Sequence, residues 1–434
     1  MKMAEQIQKA RSDPERLEQI FQKSRDSGHI KQFTTAILRL YYDDPEDQLI
    51  AAWYFRLQQE EITVEKSRAN WSLAVPIGIV TGLIYWWLSG QEFRFIDLPV
   101  FLLLWAPIAT LGVLIYLTIT ARSYFRQAVI VAVSLSLMVV YVLFLSSGLG
   151  KDWQEDYLVL MVIHLPLLCW AGLGIALLGL GSSTRDRFAF LIRSIEVIIT
   201  AGLYLGAGVI FSGITIGLFD AINVQIPDVI LRLITAGGFG LLPVLTVATI
   251  YNPRYRPGEQ DFEKGLSKFI AIMMRFFLPL TLAVLLVYVF VIPVNFWAPF
   301  QNREVLIVYN VMLFAIMGLL LGVTPMRPEE LSPRMLKYLR MGIFAVATLA
   351  VLVSVYALSA TVYRTLQDRM TINRLAVIGW NSINIGILVT LIYRQIKAKR
   401  EDWVESLYKV FSWGTNAYIA WGAFLLLAVP LMFR

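Results

Sequence analysis

Three arginines converge on one short stretch between two apolar runs, "YRTLQDRMTINR", in which Arg364, Arg369 and Arg374 flank Asp368 and Thr371. Thr371 is a helix N-cap by residue type, and its hydroxyl suits a free N–H of the helix that follows. The first turn of a helix carries partial positive charge, so guanidinium groups beside it add to the local field. Asp368 alone is at hand to offset them. Such a place attracts anions, and a guanidinium holds a phosphate or carboxylate in bidentate fashion. Asn381 stands two turns past Arg374 on the same helix face, and Asn384 follows one turn later. Amides at mid-bilayer depth face protein or water rather than lipid. Arg364, Arg369, Thr371, Arg374, Asn381 and Asn384 therefore read as one ligand site for a phosphate or carboxylate group. In the plainer reading, the arginines snorkel to headgroups and the asparagines glue helices together.

A second constellation is "FLIRSIEV", where Arg193 and Glu196 are neighbours on one helix face and form an intramembrane ion pair. Its two readings are a structural pair and the proton site of a carrier. Arg275 and Arg340 recur at similar depth in later spans, where snorkelling accounts for them. A single cysteine, Cys169, excludes an intramolecular disulfide, and together with His29 and His164 it forms too scattered a set to suggest a metal site. The chain lacks the phosphate-cradling G-x-x-x-x-G-K-[ST], the zinc-binding H-E-x-x-H and the nucleophile motif G-x-S-x-G. An enzyme would gather several acid, base or nucleophile groups in one cavity. Glu196 is the one carboxylate clearly inside an apolar run, so we expect a non-enzymatic function without cofactors or metals.

Long apolar segments position these groups. Hydrophobic residues make up 57% of the 434 positions and charged residues 16%, against about a quarter in an ordinary soluble domain. The expectation is an all-α, polytopic transmembrane helical bundle with a small N-terminal cytosolic helical segment. Eleven spans near the ~20 residues a bilayer needs fall at 71–88, 98–120, 128–146, 157–180, 188–219, 229–251, 269–294, 305–324, 336–363, 372–393 and 413–433. Together they give a transmembrane domain over 67–434. Residues 1–66 are polar and read as three short amphipathic helices broken at "SDPE" and "DDPED", with Ile37, Leu40, Tyr41, Leu49, Trp53 and Leu57 at helical spacing. That segment is either a small cytosolic bundle or a docking module for a protein partner. Gly202 and Gly206, then Gly213 and Gly217, stand four apart in the fifth span and predict close packing of a central helix on the fourth and sixth. Trp403, Leu407 and Val410 share one side of "REDWVESLYKVF" and predict an amphipathic helix on the membrane surface.

Tyr363 and Arg364, followed after a short gap by Thr371 and Arg374 between two late spans, resemble the late motif of a bacterial inner-membrane protein family known as domain of unknown function 4153. The family form has a Tyr-Gly pair before the leucine and threonine. Here Asp368 and Arg369 stand in those places, with Met370 before Thr371. The resemblance covers about residues 70 to 433, implies a bacterial inner-membrane location and implies no activity.

Lysines and arginines of the loops favour one side roughly three to one, with the richest loops at 252–268 and 394–409. That bias puts the N-terminus in the cytosol and the C-terminus outside, and it makes the Arg364–Arg374 stretch an exception on the external side. The basic residues of the 394–409 loop point to anionic membrane lipids as partners, and the net charge of +7 needs no nucleic acid. Reporter fusions at Lys151 and Arg434 should read external and one at Lys264 cytosolic. A cytosolic C-terminal reporter would show that a span has been miscounted.

Overall fold

In a computed structural model the chain divides into two compact units, Met1–Ala69 and Asn70–Arg434. The structure describes all residues except 1, 12, 27–29, 67–68, 91, 93, 96–97, 180, 263–264, 400–401 and 434.

The smaller unit holds four helices, α1 (Lys2–Lys9), α2 (Pro14–Asp26), α3 (Ile30–Asp43) and α4 (Gln48–Lys66). Three were expected from the two proline breaks. The additional division is between α2, which ends at Asp26, and α3, which begins at Ile30; residues 27–29, His29 among them, lie outside the described residues. Phe21, Phe33 and Trp53 meet at 5.1–5.5 Å between ring centres in a core that also contains Ile37, Leu40 and Leu57. Asp47 caps α4 by accepting from the N–H groups of Leu49 and Ile50 at 3.0 and 3.1 Å, and Arg11 pairs with both Asp44 and Asp47.

The larger unit is an all-α bundle. Its helices are α5 (Trp71–Leu88), α6 (Val100–Ala121), α7 (Phe125–Ser146), α8 (Lys151–Leu178), α9 (Thr184–Ala221), α10 (Asp228–Arg232), α11 (Gly238–Ile250), α12 (Gly265–Val291), α13 (Ala298–Gln301), α14 (Arg303–Val323), α15 (Pro333–Gln367), α16 (Ile372–Lys397), α17 (Trp403–Leu427) and α18 (Val429–Met432). A π-helical turn, Leu233–Gly237, joins α10 to α11 in one span, and a two-residue antiparallel ladder pairs Arg94 with Pro99 between α5 and α6. Among the described residues, eleven helices are long and apolar enough to cross a membrane. This is a multi-pass membrane protein. Local chemistry starts the helices: Ser183, Asn302, Ser332 and Thr371 each accept a backbone N–H of the turn they precede. Buried hydroxyls such as Thr81, Thr246, Ser354 and Thr361 donate to the carbonyl four residues back, which satisfies them without water.

The central helix is the ninth span, not the fifth. The face of α15 that carries Ile343, Val346, Ala347, Ala350, Val353 and Ala357 is sealed from solvent, with α12, α14 and α16 against it. Small residues at 347, 350 and 357 let those neighbours approach. The fifth span, α9, buries residues only as far as Thr200, and nothing lies within 4 Å of where a Cβ would stand at Gly202, Gly206, Gly213 or Gly217. Close approach occurs elsewhere. A Cβ on Gly82 of α5 would stand 2.6 Å from the Gly237 carbonyl oxygen, and one on Gly240 would stand 2.6 Å from Gly82 Cα. The surface-helix expectation for residues 403–410 is also corrected. Trp403, Leu407 and Val410 begin the continuous helix α17 and are buried in the main core, because this end of α17 packs on α16 and α9 rather than lying on lipid headgroups.

The glycine contrast is measurable. Gly240→Ala should destabilise the purified protein by about 1–3 kcal/mol through overpacking against the α5 backbone. Gly206→Ala should be neutral or stabilising by up to about 1 kcal/mol through helix propensity. Thermal unfolding of the two variants in one detergent makes the comparison.

Candidate functional site

The 364–374 stretch is a helix-to-helix turn built around Arg374. Thr371 caps α16 by accepting from the Arg374 N–H at 3.3 Å. The Arg374 side chain folds back: Nη1 donates to the carbonyls of Arg364 and Arg369 at 3.2 and 2.9 Å, and Nη2 donates to Asp368 at 2.7 Å. These carbonyls lie at and just beyond the C-terminal end of α15, where the helix field is negative. That field offsets the unfavourable position of Arg374 at the start of α16. The bond from Arg374, then its charge, and then that of Arg364 hold the exposed Asp368 carboxyl below its ordinary range.

The other two arginines are less committed. Arg369 is exposed, with its guanidinium 5.6 Å from the centre of the Trp153 ring. Arg364 is half-buried, and its Nη1 is sealed from solvent yet donates to nothing. Asn373 reaches across to Asp156 of α8 at 3.3 Å, so the turn is tied to the start of that helix.

The two asparagines do not continue the arginine cluster inward. They point to different helices. Asn381 Nδ2 donates to Asn310 Oδ1 of α14 at 3.0 Å. Asn384 Oδ1 accepts from the Tyr418 hydroxyl of α17, while its Nδ2 is buried without an acceptor. One turn away, Trp380 donates to His164 Nε2 of α8 at 2.9 Å. His164 Nδ1 lies 2.7 Å from the Leu160 carbonyl, which makes Nδ1 the protonated nitrogen of a neutral ring. One turn of α16 thus hydrogen-bonds to three different helices. Nothing in residue type or spacing groups Asn310, Tyr418, Trp380 and His164 as a set. Their shared signal is a polar atom deep within an apolar span, and pairing them needs the fold.

Arg193 and Glu196 do form a buried ion pair, and it reaches beyond α9. Arg193 also donates to Ser267 of α12 at 2.7 Å and to the Asp261 carbonyl at 2.6 Å, with the Phe262 ring centre 4.0 Å from its guanidinium carbon. Ser267 donates in turn to Glu196 at 3.0 Å. This network fastens Asp261 and Phe262, ahead of α12, to α9 and favours a structural role. Arg340, expected to snorkel, instead donates to the carbonyls of Gln395 and Ala398 at 2.8 and 2.9 Å and closes the end of α16.

No family model matches the chain, and no curated protein or solved structure is similar to it.

Asp368 gives the turn an acid-sensitive limb. A carboxyl held below its unfolded value of about 4 stabilises the fold above that pH, and the contribution is lost as pH falls through the lowered value. Asp368→Asn should therefore lower the unfolding midpoint at about pH 6 and do so progressively less as the pH is taken down below about 4. A pH series of thermal unfolding curves for the wild type and the variant reads the difference.

Proposed function

We propose that this protein is a non-enzymatic, multi-pass inner-membrane protein that handles an anionic solute or lipid, recognising a phosphate or carboxylate group at the external turn between α15 and α16. The N-terminus is cytosolic and the C-terminus external in this reading. One observation carries it: Arg364 keeps a buried guanidinium nitrogen with no acceptor, beside an exposed Arg369. A buried donor without a partner is unfavourable, and an incoming anion would supply the missing acceptor. Arg374 and Thr371 hold the turn in shape and Arg364 and Arg369 meet the ligand. Asn381 and Asn384 belong to the packing beneath it, because each already serves a neighbouring helix.

A second reading rests on residues 1–66. That segment has its own core and carries an exposed aromatic cluster, with Tyr41 stacked on Tyr54 at 3.9 Å and Tyr42 and Phe55 beside them. Such a surface suits a protein partner, which would make the chain a membrane scaffold or a regulatory protein.

Phosphate protection separates the two. Inorganic phosphate should raise the unfolding midpoint of the purified full chain. Arg364→Gln or Arg369→Gln should weaken that response about tenfold, the scale of one charge-assisted hydrogen bond. Removal of residues 1–66 should leave it intact. Equal responses in the wild type and both arginine variants would sink the anion site. A cellular phenotype lost with residues 1–66 but kept in both arginine variants would favour the scaffold.

A further inference from the structure

At the opposite end of the helices from the arginine turn, a cavity of about 460 Å³ opens between α8, α9 and α17. Its volume lies within the roughly 300–1,000 Å³ of small-molecule sites. Its walls are graded along the helix axis. Near the α8–α9 connection it is lined by Ser182 and Arg187, whose Nε donates to Ser182 Oγ at 2.9 Å. Ser412 marks the same level on α17, because its hydroxyl reaches the Thr184 carbonyl at 3.4 Å. One turn deeper stands Asn416, exposed toward the cavity and without a hydrogen bond among the described residues. Deeper still the lining is apolar. Trp170 and Phe190 stack at 5.5 Å, and Gly174 lets the Phe190 ring lie against α8, 3.0 Å from where a Cβ would stand. Ile419 and Ala420 close the far wall.

From Ser412 to Ala420 the cavity runs about 12 Å along α17, starting at a helix end and descending into the bundle. A solute from water would have to satisfy an apolar floor, and a bare acyl chain would leave Asn416 facing hydrocarbon without a partner, which is unfavourable. One class of molecule matches all three levels. We propose that the cavity binds a single anionic glycerophospholipid of the adjacent leaflet. Its phosphate lies beside Arg187 and its ester carbonyl accepts from Asn416. One acyl chain lies on the Trp170–Phe190 floor. Asp186, adjacent to Arg187 in sequence, does not line the cavity, and its oxygens accept from the Gly258 N–H at 3.1 Å and the Ser183 hydroxyl at 2.8 Å. The proposal does not rest on the external arginine site, which lies at the other end of the same helices.

The test uses the purified full chain in mild detergent, with thermal unfolding followed as phosphatidylglycerol, phosphatidylcholine or inorganic phosphate is added. Both lipids carry the phosphate, but the trimethylammonium group of phosphatidylcholine is repelled by Arg187, so phosphatidylglycerol should bind about tenfold more tightly, and Arg187→Gln should weaken both lipids and erase that preference. Asn416→Leu should weaken both lipids, and Ala420→Trp, which fills the cavity, should abolish the response. Inorganic phosphate acts through the external site and should be unaffected by all three changes, just as Arg364→Gln should leave the lipid response alone. Equal affinity of the wild type for the two lipids would overturn the proposal, as would an unchanged response in Ala420→Trp. If that variant does not fold, Asn416→Leu decides, and unchanged lipid affinity there is equally fatal. A phosphatidylglycerol with a photoreactive acyl chain should label residues 412–420, and labelling confined to other helices would refute the assignment.

Discussion

Polar groups inside a bilayer have no water to fall back on, so each must find its partner within the protein. The membrane unit meets this constraint most densely on one turn of α16. Trp380 bonds to α8, Asn381 to α14 and Asn384 to α17, all within five residues. Each bond fixes the rotation of α16 against one neighbour, and three together leave it no freedom to turn. The arrangement is directional in a way that apolar packing is not, because turning α16 by one residue would orphan several buried groups at once. The two large apolar clusters of the bundle, one around α15 and the other around α8, both include residues of α16. Their relative placement follows from this turn.

The same constraint explains where several arginines and tyrosines go. Helix ends expose carbonyls that cannot be left dry. Pro430 has no N–H to give the Leu426 carbonyl, and the Tyr157 hydroxyl takes its place at 2.8 Å. Tyr141 serves the Leu427 carbonyl at 2.7 Å in the same manner. Arg340 closes α16, Arg374 closes α15, and Arg193 reaches the Asp261 carbonyl. An arginine that looks like a headgroup snorkel in a hydropathy plot is here an internal cap, chosen because one planar group can serve two carbonyls. Arg364 serves no carbonyl among the described residues, and its unmatched Nη1 gives the turn between α15 and α16 its chemical interest.

Exposure in a membrane unit has a different meaning from exposure in water. The second half of α9 presents apolar side chains and bare glycines all round, which suits lipid contact and requires no protein partner. A polar side chain in the same setting does call for a partner. Asn416 is informative for that reason, whereas the many exposed leucines and valines are not.

The sequence by itself determined what depends on local, additive properties. Span number and helical class follow from run length and residue transfer energies, and the structure has eleven such helices among the described residues, ten of them close to the expected bounds and the last beginning ten residues earlier, at Trp403. The Thr371 cap and the Arg193–Glu196 pair were equally legible, since both join residues three apart on one helix. Only the tertiary structure decided which helix is central, which glycines make the close crossing and where each buried donor points. Asn381 and Asn310 are 71 residues apart, Trp380 and His164 are 216 apart, and Asn384 and Tyr418 are 34 apart. Such pairs depend on the rotation of one helix against another, and apolar stripes in a membrane constrain that rotation weakly because every face of a span can be apolar. The glycines of α9 and those of α5 and α11 look alike in sequence. Their fates differ because only the latter two helices are crossed at the level of the glycines.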